Sequence, residues 1–338
     1  VSQPNARVLA DAPGGWDALV ATCPGASPSH DPRLWRAMVE VLPGFEARFV
    51  AIEREGVLIG GAPLLIERRG FGRWLHALPH LLPGAPLAIA GAQVEVDFAV
   101  AAALERMARE LGVAGGEWVC DRVGEPVAPE ALECLGGETR WFECARIDLS
   151  AGVEAAWRAA ERKTRNEITQ AHARGLIFEE NPARLDEAIA LNARQARYWA
   201  GHRGLPAALS RRLLEDGPAR LFTVSDGRGL LCASLVLDGA HETFVWWSGA
   251  HEDARQRRAY PFLMWSIAEW AASRGRRRLN LGASTGLDPV ATFKRSLGAS
   301  PSRYPVRWLD ARHAGPASRA LAGLQAWLRA GRARGASA

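Results

Sequence analysis

Only two of the 42 basic residues in this chain are lysines, Lys163 and Lys294; the rest are arginines. A genome rich in G and C favours arginine codons, so arginine tends to stand wherever either cation would serve. A lysine that survives in such a chain is a candidate for a task needing a compact ammonium rather than a planar guanidinium fork. Lys294 lies in Arg278 to Gly298, RLNLGASTGLDPVATFKRSLG, which reads as a buried strand, an open loop and a short helix. Residues at the carboxyl end of a central strand in an open α/β sheet line the ligand crevice, which brings Asn280, Gly282, Ser284 and Thr285 to a site. Next to apolar Phe293, the Lys294 ammonium could stabilise negative charge on an acyl carbonyl oxygen as an amine attacks it. Burial strengthens that effect by lowering the local dielectric. The plainer alternative is a surface lysine at the sheet edge.

Two basic clusters could hold phosphate. Arg255, Arg257 and Arg258 stand just ahead of Tyr260 and Pro261, where guanidinium groups and the first amides of a helix converge. Lys163, Arg165 and Asn166 fall on a linker helix; in both places a solvated basic face is the competing reading. Trp246 and Trp247 adjoin on a strand, so strand alternation lets at most one of them, here Trp247, line a pocket. His251 could act as a base, although a histidine in a polar loop is usually just solvated. No phosphate-loop, nucleophile-elbow or His-Glu-x-x-His motif occurs, which removes support for nucleotidase, hydrolase and metalloprotease readings. His76 and His80 stand four apart, but Pro79 interrupts any helix between them and no metal site is expected. Five cysteines without a Cys-x-x-Cys pair suggest neither disulfides nor zinc.

The elements that must position these residues follow from pattern. At 338 residues the chain exceeds one typical domain, and 48% hydrophobic with 23% charged residues is an ordinary globular composition. No apolar run reaches the length needed to span a bilayer and the first residues do not resemble a signal peptide, so a cytoplasmic location is expected. Phe49 to Glu67 reads as a hairpin turning at Glu53 to Gly56, and Leu221 to Leu237 repeats the plan with a turn at Asp226 to Gly229. Each hairpin precedes a further strand, an amphipathic helix (Val96 to Leu111; Pro261 to Ser273) and another strand (Gly116 to Cys120; Arg277 to Leu281). Two α/β units in tandem, each a mixed sheet flanked by helices, are therefore expected over residues 1–148 and 149–312, with a C-terminal helix over 313–338 packing back on the body. Between the units, Ala151 to Gly175 predicts one helix with a glycine stop, and a second runs over Ala183 to Trp199.

Taken together, these segments resemble the Fem-like branch of the GNAT acyltransferase superfamily, whose members carry two GNAT folds in tandem and include the aminoacyl-tRNA-dependent transferases of peptidoglycan bridge synthesis. The resemblance rests on ERKTRNEITQAHARGL (161–176), RLFTVSDGRGLLCASLVL (220–237), WWSGAHEDARQRRAYPFLMWSIAEWAASRG (246–275) and LNLGASTGLDPVATFKRSLGA (279–299), with weaker support from HDPRLWRAM (30–38). It implies that the family's Phe-Lys motif falls on Phe293 and Lys294, the lysine stabilising the acyl-transfer intermediate. Three departures stand out. The glycine-containing pyrophosphate loop of ordinary GNAT enzymes is replaced by HEDARQRRAYP, Asn280 stands where the family often has Asp, and the long helical hairpin of some cell-wall members has no counterpart.

The expected function is N-acyl transfer, with an aminoacyl or acyl group moving to an amine of a peptidoglycan precursor or small metabolite. Lys294 is the catalytic candidate, and Lys163, Arg165, Asn166, Trp247, Arg255, Arg258, Tyr260, Asn280, Ser284 and Phe293 are the substrate-binding candidates. No permanently bound cofactor and no DNA partner are expected. Aminoacyl-tRNA is slightly favoured over acyl-CoA as co-substrate, because the pyrophosphate glycines are missing. The alternative is a non-catalytic protein that holds an anionic ligand in an arginine-rich groove.

Overall fold

The computed structural model describes residues 4–70, 72–78, 82–124, 126–196, 206–284 and 287–316. His80, Thr285, the far end of the helix expected to reach Trp199 and nearly all of the expected C-terminal helix lie outside them. The first half contains β1 (Asn5–Leu9), α1 (Trp16–Thr22), α2 (Pro32–Val41), β2 (Phe45–Arg54), β3 (Val57–Arg69), β4 (Gly72–Ala77), β5 (Leu87–Ala88), α3 (Gln93–Leu111), β6 (Val113–Val119) and α4 (Pro129–Glu133). There follow β7 (Glu138–Asp148), α5 (Val153–Ala159), α6 (Arg162–Ala173), β8 (Ile177–Glu180), α7 (Leu185–Ala196), α8 (Ala207–Asp216), β9 (Ala219–Asp226), β10 (Gly229–Asp238), β11 (Glu242–Ala250), α9 (Ala254–Arg257), α10 (Ala259–Ser273), β12 (Arg278–Ala283), α11 (Asp288–Ser296) and β13 (Ser300–Leu309).

The chain divides differently from the expected cuts at 148 and 312. One compact unit holds Leu42–Trp141 with the described residues before Ala26 and from Pro305 onward; the other holds Ala26–Val41 and Phe142–Tyr304. The stretch containing α2 thus belongs to the second unit. There α2 packs on α8, and Pro28 sits so close to Gly239 that a Cβ on that glycine would lie 2.8 Å from the Pro28 nitrogen.

In the first unit β1, β2, β3 and β4 pair antiparallel in sequence, β4 and β6 pair parallel, and residues 306–309 of β13 pair antiparallel with β6. The second unit repeats the order. Strands β8, β9, β10 and β11 are antiparallel, β11 and β12 are parallel, and β7 closes on β12 antiparallel. The expected duplication is therefore present strand for strand. The first hairpin turns on Glu55 (φ 52°) and Gly56 (φ 79°), the two left-handed residues of a type I′ turn. The second turns where the Asp226 carboxylate accepts the amides of Arg228 and Gly229, at 2.8 and 3.2 Å.

One apolar stripe of α3, with Val96, Val100, Leu104 and Met107 at helical spacing, packs on Ile52, Leu64 and Leu75 to make the first core. In the second unit Phe222, Val224, Val236 and Leu279 meet the side of α10 that carries Leu263 and Ile267. Helix α10 is apolar nearly all round because α6 covers its other side.

The single helix expected over Ala151 to Gly175 is two. Ala160 is extended (ψ 147°), the Glu161 amide donates to the Ser296 carbonyl at 2.9 Å, and Gly298 abuts Ala159 and Ala160. A tertiary contact thus overrides strong local helix propensity.

Candidate active site

The two parallel strand pairs differ in one respect that creates a site. In the first unit β4 and β6 stay paired from Arg73 opposite Val113 to Ala77 opposite Trp118. In the second, β11 and β12 pair only from Glu242 opposite Arg278 to Phe244 opposite Asn280, and then part. A bulge drives the parting. Against β10, Val245 lies opposite Val236 and Trp247 opposite Leu235, so Trp246 is the extra residue, and a bulged strand bends and twists more strongly. The bulge also interrupts the alternation from which Trp246 and Trp247 were expected to face opposite sides; both are half-buried.

Beyond the last pair, β12 itself turns. Gly282 has φ +72°, and its register against β7 shifts between Asn280 and Ala283. Glycine adopts this left-handed conformation without strain. The Gly282 amide donates to Asn280 Oδ1 at 2.8 Å, which pins the turn. The Gly282 and Ala283 carbonyls then both accept hydrogen bonds from Lys294 Nζ, each at 2.8 Å.

Lys294 projects from α11 and is only 7% exposed. The strand, open loop and short helix read from the sequence are β12, residues 284–287 and α11. Two of the three ammonium protons are committed to β12, and the third has no acceptor among the described residues. Burial pushes the Lys294 ammonium down to about 8, against a smaller upward pull from the neighbouring Cys144. Phe293 packs on Tyr260 with ring centroids 5.3 Å apart. The Tyr260 hydroxyl bonds Ser248, raised by burial more than that bond lowers it, and Ser248 Oγ lies 2.6 Å from Ser234 Oγ. Lys294, Phe293, Tyr260 and the turn at Gly282 thus form one constellation around the end of β12.

Asn280 departs from expectation. It is fully buried and spent inside the protein, with Oδ1 on the Gly282 amide and Nδ2 on Glu242 Oε1 at 3.1 Å. Its amide positions the turn. Glu242, 1% exposed, also accepts from Arg146 Nε at 2.8 Å and Arg278 Nε at 3.2 Å. Arg146 in turn donates to Cys144 Sγ. None of this buried network was legible locally, since Glu242 lies 38 residues from Asn280 and 96 from Arg146. It yields a prediction. Asn280→Asp sets a second carboxylate against Glu242 and removes a donor. It should cost about 1–3 kcal/mol of unfolding free energy in urea titration.

The basic candidates are not gathered at Lys294. Arg165 turns back on α5, its Nη1 donating to the carbonyls of Trp157 and Arg158 at 3.3 and 3.2 Å, and so caps that helix. Arg258 adopts φ 58° between α9 and α10, and its guanidinium lies 3.4 Å from Glu167. Lys163, Asn166 and Arg255 are exposed. Ser284 follows β12 and its carbonyl accepts the Leu287 amide at 2.9 Å. Arg257, unlike Arg255 and Arg258, lines a hollow of about 570 Å³ with Arg194, Arg228 and Asp226, and it pairs with Asp226.

His76 is buried between Glu67 and Glu117, each 3.0 Å away, and these carboxylates lift it to about 9 despite its burial. It is an ion-paired core residue. No group of three or more metal-ligating side chains occurs, and no helix is long and apolar enough to cross a membrane, among the described residues.

Comparison with known proteins agrees with this geometry. Residues 157–295 match the family model described as an acetyltransferase (GNAT) domain. No curated protein matches the sequence. The solved structure of FemX is similar with a TM-score of 0.70 at 13% identity, covering 89% of this chain and 96% of that one. A C-terminal domain from Agrobacterium fabrum named as that of a lysylphosphatidylglycerol synthetase gives 0.59 at 13% identity, over 92% and 94% of the two chains. A tandem GNAT protein from the clavulanic acid biosynthesis pathway gives 0.54 at 13% identity, over 93% and 99%. Residues 157–295 match a GNAT acetyltransferase domain, which supports an acyltransferase, and the chain shares its fold with FemX and with a tandem GNAT protein.

Proposed function

We propose that this chain transfers an aminoacyl or acyl group from an activated donor to an amine of a cell-envelope precursor or small metabolite, with Lys294 polarising the acyl carbonyl. The carrying observation is the buried ammonium at the parted end of β11 and β12, with two protons tied to β12 and the third without an acceptor among the described residues. As the amine nitrogen bonds to the carbonyl carbon, the C=O pair moves onto oxygen. In this proposal the third N–H meets that charge in a nearly dry setting. Collapse of the tetrahedral species breaks the bond to the leaving oxygen or sulfur and completes the amide. Glu242 is held by three donors and serves as a structural anchor for Asn280, so a phosphate or carboxylate of the substrate itself is the proposed acceptor of the amine proton.

Aminoacyl-tRNA is favoured over acyl-CoA as donor. Where the glycine-containing pyrophosphate loop would lie, this chain folds the short helix α9 and caps it with Arg258 in a left-handed conformation. The test offers radiolabelled aminoacyl-tRNA pools and acetyl-CoA in parallel, with an extract of small amines and peptidoglycan precursors. Label leaving tRNA is the expected result. Label moving only from acetyl-CoA overturns the donor assignment, and transfer from neither overturns the proposal.

The pH dependence follows from Lys294. Its ammonium is the active form and titrates at about 8 in the folded chain, so transfer should fall as pH rises through about 8. Stability runs the other way. The unfolded chain keeps this proton to about 10.5, so between about 8 and 10.5 it binds more protons than the folded one, and this group's contribution to stability rises with pH. A pH–rate profile measured alongside unfolding free energies should show the two trends diverging.

A further inference from the structure

We infer that the helical face of the second unit carries a separate binding site for a small organic cation bearing a methylated ammonium group. Helices α5, α6 and α10 enclose a hollow of about 290 Å³, at the small end of ligand pockets. Its aromatic lining comes from Trp157, Phe262 and Trp265. The two indole rings meet at 4.7 Å between centroids with a 55° tilt, so they form adjoining walls, and His172 stands edge-on to Phe262 at 6.3 Å. Phe262 and Trp265 are 7% and 3% exposed, a fixed apolar floor.

The charge around this floor is one-sided. Glu154 and Glu269 line the hollow, while no Arg or Lys does, in a chain with 42 basic and 37 acidic residues. The hollow beside Arg257 and the one beside Arg68 in the first unit each contain three or more arginines. Glu269 is oriented by the Trp265 indole N–H, which donates to its Oε1 at 2.9 Å, and neither Glu269 nor Glu154 has a cationic partner among the described residues. Tryptophan faces attract cations electrostatically, and adjacent carboxylates add a full charge at the rim. A weakly hydrated methylated ammonium suits such walls, because it gives up little water on entering. This hollow shares no lining residue with the Lys294 site.

The experiment titrates the full chain with choline and with 3,3-dimethyl-1-butanol, its neutral carbon isostere, following tryptophan fluorescence and calorimetry. Choline should bind at least about tenfold more tightly than the isostere. The double variant Glu154→Gln/Glu269→Gln, whose exposed side chains leave the fold intact, should lose about tenfold in choline affinity with an unchanged unfolding midpoint. Phosphatidylcholine vesicles, tested in parallel, separate the sources. Binding of free choline marks a soluble ligand, and binding of vesicles alone marks a lipid headgroup. Equal binding of choline and the isostere, no binding of choline in either form, or choline affinity unchanged in the double variant would overturn the assignment.

Discussion

Replacing Glu242 by Gln is expected to destabilise the protein by about 3–5 kcal/mol, on the order of 10 °C in Tm, which makes it the most damaging single substitution in the second unit outside its apolar core. Glu242 accepts from both Arg146 and Arg278 in the hydrogen-bonded network beneath β12, and both guanidinium groups are largely buried. Removing its charge withdraws a buried anion shared by two guanidinium groups, which costs more than the bonds themselves. Equilibrium denaturation in urea measures the loss. Adding Arg146→Met to the variant should return part of it, because one buried cation is then gone, and a double-mutant cycle makes that coupling visible. The substitution also reaches the chemistry, since Glu242 holds Asn280, Asn280 holds the Gly282 amide, and the Gly282 carbonyl holds Lys294.

Much of the scaffold was legible because its signals are local. Alternating apolar runs broken by Glu55-Gly56 and by Asp226 to Gly229 specify two hairpins, and the matching order of strand, helix and strand after each exposes the duplication. Lys294 stood out because it survives in an arginine-dominated chain on a strand–loop–helix segment, and the structure places it there, buried. What failed to show depends on contacts distant in sequence. Strand β13 carries Pro301 and Pro305, which argue locally against a strand, and it forms because β6 offers an edge to residues 306–309. Helix α2 reads as part of the first half, yet Gly239 and α8 claim it for the second unit. Asn280 looked like a ligand because it ends a buried strand, and only Glu242 on the adjacent strand reveals that its amide is spent. Arg165 and Arg258 read as phosphate-ligand candidates from basic clusters on a helix and at a helix start, and the contacts they make with the end of α5 and with Glu167 are not legible locally.

The second large effect belongs to Lys294 itself. Methionine matches the lysine stem in length and fits the same space beside the turn at Gly282 without bringing a charge. Lys294→Met should therefore fold, and the buried ammonium it removes is one that burial already disfavours. Its cost should fall on the transition state. Loss of one donor aimed at a developing oxyanion typically lowers turnover by about 10²–10³, while affinity for the acyl donor is expected to be kept. Lys294→Arg should not rescue, because a planar guanidinium cannot donate to both β12 carbonyls and still present a proton in the same narrow space.

The most direct measurement of this account compares the native chain and Lys294→Met in the same transfer assay, with donor affinity determined on the same samples. The account predicts a fall of about 10²–10³ in kcat/KM with donor affinity preserved. Transfer by Lys294→Met within a few-fold of the native rate would contradict it.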